Sequence, residues 1–304
     1  KRFDLPKGSM TMVDAARSAE IKQVTASMKS TLASGGSAGN TMYGLGTMGV
    51  YSSFIGKVGR DAMGNFYEKD MVDAGLIPVL MRSHLSPTGT AVALVTPDSE
   101  RTFATHLGAS TELTAEELRN EYFKGYQILY LEGYLIFNLP LVEKACTLAK
   151  RNNMRIALDL ASFNVVADML PSFQKIIKKY VDIVFANAEE ARAFTGLGPR
   201  EALDALAAIC DIAVVKTGPE GSWIKRDNEV IKVDALKVKP VDTTGAGDLY
   251  SAGFLYGLSH GFDLDKCGMF GSILAGKVIE VIGARMHPEK WNEARKLISE
   301  IAGD

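Results

Sequence analysis

The sequence predicts an α/β fold: a mostly parallel central sheet with helices on both faces and a small β lid. Three observations predict it. Apolar runs of strand length alternate with segments of helical period. The runs are rich in Val, Ile, Leu and aromatics, as strands buried on both faces are. A separate stretch, Met81–Thr105, alternates in short runs instead and reads as a β-hairpin.

Taken in order, strands are expected at Val50–Ile55, Ile128–Glu132, Ile156–Leu160, Ile183–Ala186 and Ile212–Lys216. Between them, Leu139–Asn152 has apolar residues at 141, 142, 145, 148 and 149, and Glu189–Thr195 and Pro199–Ile209 are amphipathic. This βαβα rhythm calls for a parallel sheet covered on both faces. In the hairpin, TGTAVALVTP and RTFATHL flank a turn at Thr96–Glu100 that holds Pro97 and Asp98. A second β-rich patch, Ser222–Leu236, turns at Arg226–Glu229 and reads as an edge of the main domain. With no repeat, low-complexity run or linker, the expectation is a single domain over 1–304, its lid drawn mainly from about 81–107 and from segments near the N-terminus.

Composition narrows the function. The 304 residues are 47% hydrophobic and 23% charged, ample for a large core. A net charge of -2 without a basic stripe argues against nucleic acid as a partner, and no apolar run is long enough to span a membrane. Cys146, Cys210 and Cys267 lack CxxC spacing and read as reduced thiols. The four histidines form no HxxxH or HExxH pair, so a His-based zinc site is not expected. The opening KRFDLPKGSM has neither the apolar core of a signal peptide nor an initiator Met, so further residues are expected upstream. The composition suits a cytoplasmic protein.

The chemistry concentrates in Val241–Gly253, VDTTGAGDLYSAG. It follows the strand-like Ala235–Val238, and after Asp248 the pattern turns helical. Gly245, Ala246 and Gly247 therefore stand where a loop becomes a helix N-terminus. Small residues there let backbone N–H groups approach an anion, and the helix end adds partial positive charge. Such a cradle suits a transferring phosphoryl group. Asp248, one residue on, can take the proton of an attacking hydroxyl. Asp242 and Thr244 offer oxygens for a cation. The alternative is that Asp248 is a helix cap and the glycines make a tight turn.

The segment DTTGAGD followed by a small-residue helix resembles the C-terminal signature of the pfkB-type, or ribokinase-like, family of sugar and nucleoside kinases. A second signature lies upstream: Gly35-Gly36-Ser37-Ala38-Gly39-Asn40, then Gly56, Gly59, Asp61 and Gly64 in a G-x-x-G-x-D-x-x-G array. The resemblance spans most of the chain. It implies a three-layer α/β/α ribokinase-like fold and transfer of the γ-phosphoryl of ATP, with Mg²⁺, to an acceptor hydroxyl. By the same resemblance Gly35, Gly36, Ser37 and Asn40 hold the acceptor. Asn187 lies near the nucleotide phosphates, and Glu190 organises water around Mg²⁺, in an N-x-x-E match. Thr217, Gly218 and Gly221 resemble the loop beside the nucleotide. Gly283, in Ile282-Gly283-Ala284, resembles a late loop lining the adenine pocket; in many members a K⁺ site lies there, for which Asp242 and Thr244 are the candidates here. The structural alternatives are a strand-end Asn with a dipole-complementing Glu for the first pair, and a simple turn for the Thr217 loop.

Within the family, Ser37 is similar to the adenosine kinase type GGSTQN rather than the ribokinase GGKGAN or the ketodeoxygluconate kinase GGD. YLEGYLI (130–136), YVDIVF (180–185) and ERTFATHL (100–107) lean the same way. On that analogy Arg101 clamps phosphates, and Phe103 and Tyr134 contact a base. The alternatives are an exposed hairpin Arg101, and core packing for Tyr134 and Phe163. The chain departs from that branch at Gly39, where Gln is frequent, and in DTTGAGD, which is common to sugar kinases. The family's first strand, whose Asp binds ribose, has no counterpart here. The expected acceptor is thus adenosine first, with ribose, fructose or a ketodeoxy sugar acid as runner-up. A catalytically weak nucleoside- or sugar-binding sensor is the reading from another class. Monomer and lid-mediated homodimer both stay open.

Two literal motifs are set aside. Gly44–Gly49 matches GxGxxG, but a helix precedes it and a strand follows, the reverse of a dinucleotide site. Gly271–Lys277 fits GxxxxGK but continues with Val278, so the Ser/Thr of a P-loop is missing.

Overall fold

The structure is a computed structural model. It describes residues 3, 5–7, 10–28, 30–96 and 101–303, with only the backbone of Arg101. Along the chain run β1 (Met10–Met12), α1 (Ala15–Thr25), α2 (Ser37–Thr47), β2 (Ser52–Gly59), α3 (Ala62–Asp73), β3 (Leu76–Ser83), β4 (Thr88–Val95) and β5 (Arg101–Gly108). Then come β6 (Ile128–Glu132), α4 (Leu139–Arg151), β7 (Arg155–Asp159), α5 (Phe163–Tyr180), β8 (Ile183–Asn187), α6 (Ala188–Thr195), α7 (Pro199–Ala207) and β9 (Ile212–Lys216). The chain finishes with β10 (Ser222–Arg226), β11 (Glu229–Val233), α8 (Ala246–Ser259), α9 (Leu264–Val278) and α10 (Pro288–Ala302). These divide into two compact units, 1–36 with 53–113, and 37–52 with 114–304.

In the first unit β4 and β5 form the expected hairpin, Val95 opposite Arg101 and Thr88 opposite Gly108, and β1 adds to β5 in parallel. Of the turn predicted at Thr96–Glu100, residues 97–100 lie outside the described residues. The G-x-x-G-x-D-x-x-G array has a local physical reason. Asp61 caps α3: its Oδ1 accepts from Gly64 N at 2.8 Å and Thr88 Oγ1 at 2.6 Å, and its Oδ2 from Thr88 N at 2.8 Å. A Cβ on Gly59 would stand 2.6 Å from Thr88 N, and one on Gly64 2.5 Å from Gly59 O. The array thus ties the start of α3 to the start of β4. Burial works to raise the Asp61 pKa, but the hydrogen bonds from Thr88 and Gly64 outweigh it and hold the carboxyl below its ordinary value.

One expected strand is corrected here. Val50–Ile55 is not a strand of the main sheet. The strand runs Ser52–Gly59 and, among the described residues, pairs only with β3 in a two-stranded sheet. Gly49, with φ of 85°, ends α2, and Val50 N donates back to Leu45 O, so extended backbone begins two residues later.

The second unit carries a six-stranded sheet in the order β11-β10-β9-β8-β7-β6. Strands β6 to β9 are parallel; β10 and β11 continue antiparallel, making the predicted edge. The parallel strands are apolar on both faces because both are covered: Ile183–Ala186 and Ile212–Val215 are fully buried. One group of packed helices is α4 to α7, the other α2, α8, α9 and α10, giving the three-layer arrangement. Helix α4 starts from the cap Asn138, whose side chain accepts from Leu141 N, and buries Leu141, Val142, Ala145, Leu148 and Ala149. Pro171 accounts for a kink in α5 at Met169. Helices α8 and α9 cross at backbone contact, since a Cβ on Gly253 would lie 2.3 Å from Phe270 O.

Ala235–Val238, expected as a strand, is not one. One of its backbone N–H groups is met by a side chain instead: Leu236 N donates to Ser272 Oγ at 2.9 Å, and that hydroxyl donates to Asp234 O, just before the segment, at 2.9 Å. Both misleading motifs lie mainly within helices. GLGTMG runs along α2 and its C-terminal turn; GSILAGK sits inside α9, where Lys277 pairs with Glu280 at 3.1 Å and Glu293 at 2.7 Å. Among the described residues no helix is long and apolar enough to cross a membrane.

Candidate active site

Four parallel strands end, side by side, in polar residues: Glu132 on β6, Asp159 on β7, Asn187 on β8 and Lys216 on β9. Register pairs Glu132 with Asp159 and Asn187 with Lys216. The carboxyl end of such a sheet is where α/β folds place their ligands. Helix α8 begins at the same place. Gly245 precedes it in the left-handed region at φ 80°, and a Cβ there would lie 2.6 Å from Ala284 Cβ. Ala246, Gly247 and Asp248 form its first turn, whose N–H groups have no partners within the helix. A Cβ on Gly247 would come within 3.4 Å of Lys216 Nζ. Helix N-terminus and ammonium therefore add positive potential at one point, which suits a phosphate-bearing nucleotide.

Asp248 does not cap its helix, the alternative left by the sequence. Its carboxylate turns to α2: Ser37 Oγ donates to Oδ1 at 2.7 Å and Asn40 Nδ2 to Oδ2 at 2.8 Å. Thr41 Oγ1 donates to the Asp248 carbonyl at 3.1 Å. Burial raises the Asp248 pKa, the bonds from Asn40 and Ser37 work to lower it, and the net position is above the ordinary value. Beneath lies a buried ion pair, Lys216 Nζ to Asp159 Oδ2 at 2.8 Å, with Ser251 Oγ donating to the same oxygen at 3.3 Å. Burial opposes the Lys216 charge, yet Asp159 and Glu190 hold its pKa above the ordinary value.

Asn187 and Glu190 form a capping box at the start of α6. Asn187 Oδ1 accepts from Glu190 N at 2.8 Å, and Glu190 Oε2 accepts from Asn187 N at 2.8 Å. The structural alternative is therefore present in full, whatever else the pair does. Burial, helped by the Asp159 charge and opposed by Lys216, raises the Glu190 carboxyl to about 7. Thr217 N and Oγ1 both donate to Gly221 O, at 2.8 and 3.0 Å, closing the loop between β9 and β10. Gly218 and Gly221 have φ of 62° and 88°. Asp242 Oδ1 accepts from Thr244 N and Oγ1, and its Oδ2 accepts from Gly283 N at 2.5 Å, joining the segment before α8 to the late loop.

The structure thus brings together Ser37, Asn40, Gly245, Ala246, Gly247 and Asp248, and separately Asn187 with Glu190 and Asp242 with Thr244 and Gly283. Gly35, Gly36, Arg101 and Phe103 belong to the first unit. Gly36 has φ of 90°, and an added Cβ on either glycine would meet nothing within 4 Å. Phe103 is half-buried on β5, and the Arg101 side chain lies outside the described residues. Core packing of Tyr134 and Phe163 is corrected: they are 38% and 46% exposed. Gly133 approaches the end of β7 so closely that a Cβ would lie 2.4 Å from Leu160 O.

Sequence reasoning missed Glu132, Asp159, Lys216 and Arg285. Glu132 Oε2 accepts from Ala38 N at 2.8 Å, and burial raises its pKa. Arg285 Nη1 donates to Asn40 Oδ1 at 3.0 Å and stacks 3.8 Å from the Tyr43 ring centroid. For the first three a signal existed: a charged residue closing an otherwise apolar parallel strand. For Arg285 there was none.

The sequence profile of the pfkB family carbohydrate kinases matches residues 4–291. The chain belongs to the pfkB family. Solved structures agree. A "probable sugar kinase protein" from Rhizobium etli superposes with a TM-score of 0.88 at 32% identity, covering 97% of this chain and 91% of that one. Adenosine kinase from Sinorhizobium meliloti superposes at 0.87 with 34% identity, covering 96% and 91%. A nucleoside kinase of Methanocaldococcus jannaschii is 30% identical over 265 residues, 85% of this chain and 83% of its own. This pfkB member is a kinase of ribokinase-like fold that phosphorylates a sugar or nucleoside at the expense of ATP.

Proposed function

We propose that the acceptor is a nucleoside, adenosine first, and that Asp248 is the base that deprotonates its hydroxyl. The observation that carries this is the Asp248 carboxylate in the first turn of α8, held by Ser37 and Asn40 beside the small-residue cradle. Both donors bind the ionised form, the form a base needs. The Gly245–Gly247 backbone and Lys216 then face the charge that develops on the phosphoryl group. Ser37 and the 34% identity to an adenosine kinase favour the nucleoside. DTTGAGD, common among sugar kinases, keeps ribose, fructose or a ketodeoxy sugar acid as the second reading.

Mg²⁺ fits what is present. The Glu190 carboxylate is an oxygen donor beside Asp159 and Lys216 at the carboxyl end of the sheet, and Mg²⁺ on a nucleotide needs few protein ligands and keeps its waters. Glu190 would hold that hydrated ion, which neutralises phosphate charge when bound. Asp242 and Thr244 are assigned to a monovalent cation such as K⁺, and Asn187, Thr217, Gly218, Gly221 and Gly283 to the nucleotide. Gly35, Gly36 and Phe103 are assigned to the acceptor with Tyr134, Arg101 to phosphate, and the β4–β5 hairpin to the lid of one kinase domain.

The test is ADP release over adenosine, other nucleosides and common sugars, for wild type and Asp248→Asn. Adenosine-dependent turnover lost in Asp248→Asn is the expected result. Turnover that survives the substitution sinks the base assignment; tight binding of an acceptor without turnover marks a sensor instead.

A further inference from the structure

We propose that Arg285 is a positioning residue that acts on Asp248 through Asn40, by dictating which end of the Asn40 amide faces the carboxylate. The inference rests on the reading of Asp248 as the base.

The geometry is specific. Asn40 is buried at 7% exposure on α2, and its amide is engaged at both ends. Arg285 Nη1 donates to Oδ1 at 3.0 Å, and Nδ2 donates to Asp248 Oδ2 at 2.8 Å. A guanidinium has only donors, so it accepts one orientation of the amide, carbonyl toward itself. The NH₂ group is then forced toward Asp248. The Tyr43 ring, one turn along α2 from Asn40, lies under the guanidinium, with Arg285 Cζ 3.8 Å from its centroid, and holds it in place. Without that anchor only the carboxylate itself selects the amide's orientation, and the turned-over amide, its oxygen toward Asp248, becomes accessible. An oxygen facing an oxygen is tolerated only when Asp248 carries the proton, and a protonated Asp248 is no base.

The surroundings of Asp248 make this orientation matter. From the sheet, Glu132 and Tyr130 on β6 and Asp159 on β7 face it with negative or ionisable oxygens, and Lys216 on β9 supplies the nearby cation. The donors on α2 are Ser37 and Asn40. Burial already favours the proton on this carboxyl, so loss of the Asn40 donor weakens what holds it ionised and leaves chiefly Ser37 and Lys216.

The experiment follows Asp248 directly. Its side-chain carboxyl ¹³C signal, assigned by its disappearance in Asp248→Asn, is titrated in wild type, Arg285→Ala, Arg285→Lys and Tyr43→Leu. The acid limb of kcat/KM is recorded in parallel with adenosine and with ribose as acceptors. Arg285→Ala is expected to move the midpoint and the acid limb up by about one unit, which lowers kcat about tenfold below that limb, with KM for ATP unchanged. Arg285→Lys, which keeps a donor for Oδ1, is expected to recover most of the shift, and Tyr43→Leu to show a smaller shift of the same sign. An Asp248 midpoint in Arg285→Ala that superimposes on wild type overturns the proposal, as does a lysine variant no better than alanine. Should the alanine variant fail to fold, Tyr43→Leu decides: an upward shift supports the role and no shift removes it. An Asp248→Asn enzyme with full turnover removes the base assignment itself. An inactive Asp248→Asn with an unmoved Arg285→Ala titration removes only the role of Arg285.

Discussion

Asp159 and Lys216 close two parallel strands that flank β8, and their side chains meet at 2.8 Å with 7% and 13% exposure. The pair lies under the first turn of α8, within reach of Gly247 and close enough to Glu190 to shift its carboxyl. Breaking a buried pair from one side leaves an uncompensated charge, typically at a cost of about 3–5 kcal/mol. Lys216→Met should therefore unfold at markedly lower denaturant, and more so than the double variant Asp159→Asn/Lys216→Met. Chemical denaturation of the three proteins checks this; equal losses for single and double variants would remove the pair as the cause.

Asn40→Ala and Ser37→Ala each remove one donor from the Asp248 carboxylate. A hydrogen bond to a charged, buried acceptor contributes about 1.5–3 kcal/mol. Each variant should lose about tenfold or more in kcat/KM, with the acidic limb of the pH profile displaced upward, because both bonds stabilise the ionised form. Steady-state kinetics across pH separates this from a simple loss of acceptor binding, which would raise KM and leave the limb in place.

Asp61 gives a pH-dependent stability with a definite sign. Its folded-state pKa lies below the ordinary 3.8, held there by Thr88 and Gly64 against burial. A depressed carboxyl contributes stability that is present above pH 3.8 and is lost as pH falls through the folded value. Asp61→Asn should lower Tm at neutral pH, and the gap to wild type should narrow below about pH 3.8 as wild type loses the same interaction. Melting curves from pH 7 down to pH 3 test it; a gap that stays constant with pH would assign the loss to packing alone.

Gly253→Ala should be among the most damaging single changes that touch no charged group. The added Cβ would stand 2.3 Å from Phe270 O and 2.6 Å from its carbonyl carbon, backbone atoms that cannot rotate away. Helices α8 and α9 would have to separate, a cost of about 1–3 kcal/mol or more for overpacking. Loss of soluble protein or a drop in Tm is the expected outcome, whereas Gly283→Ala, with nothing within 4 Å, should be limited to backbone strain at φ 87°.

The architecture of the second unit was legible in the sequence because strands buried on both faces must be apolar throughout, and β6 to β9 fall within a residue of their expected positions. Val50–Ile55 misled because an apolar run says nothing about which sheet it joins. Ala235–Val238 misled because a single hydroxyl, Ser272, can satisfy backbone that a strand would otherwise pair. Asn187 and Glu190 were found three residues apart on one chain segment, where local spacing suffices.

The sequence by itself determined that Asp248 stands in the first turn of a helix behind two glycines, since both depend on neighbours in the chain and on the backbone freedom of Gly and Ala. It also supplied the family signatures and, with them, the reaction class. Only the tertiary structure decided what the Asp248 carboxylate bonds to. Ser37 and Asn40 lie 211 and 208 residues away and Arg285 reaches Asn40 across 245, separations at which no periodicity or spacing carries information. The packing of α2 on α8, at a distance set by Gly44 against Ala252, turns three remote polar residues and one carboxylate into a single hydrogen-bonded chain.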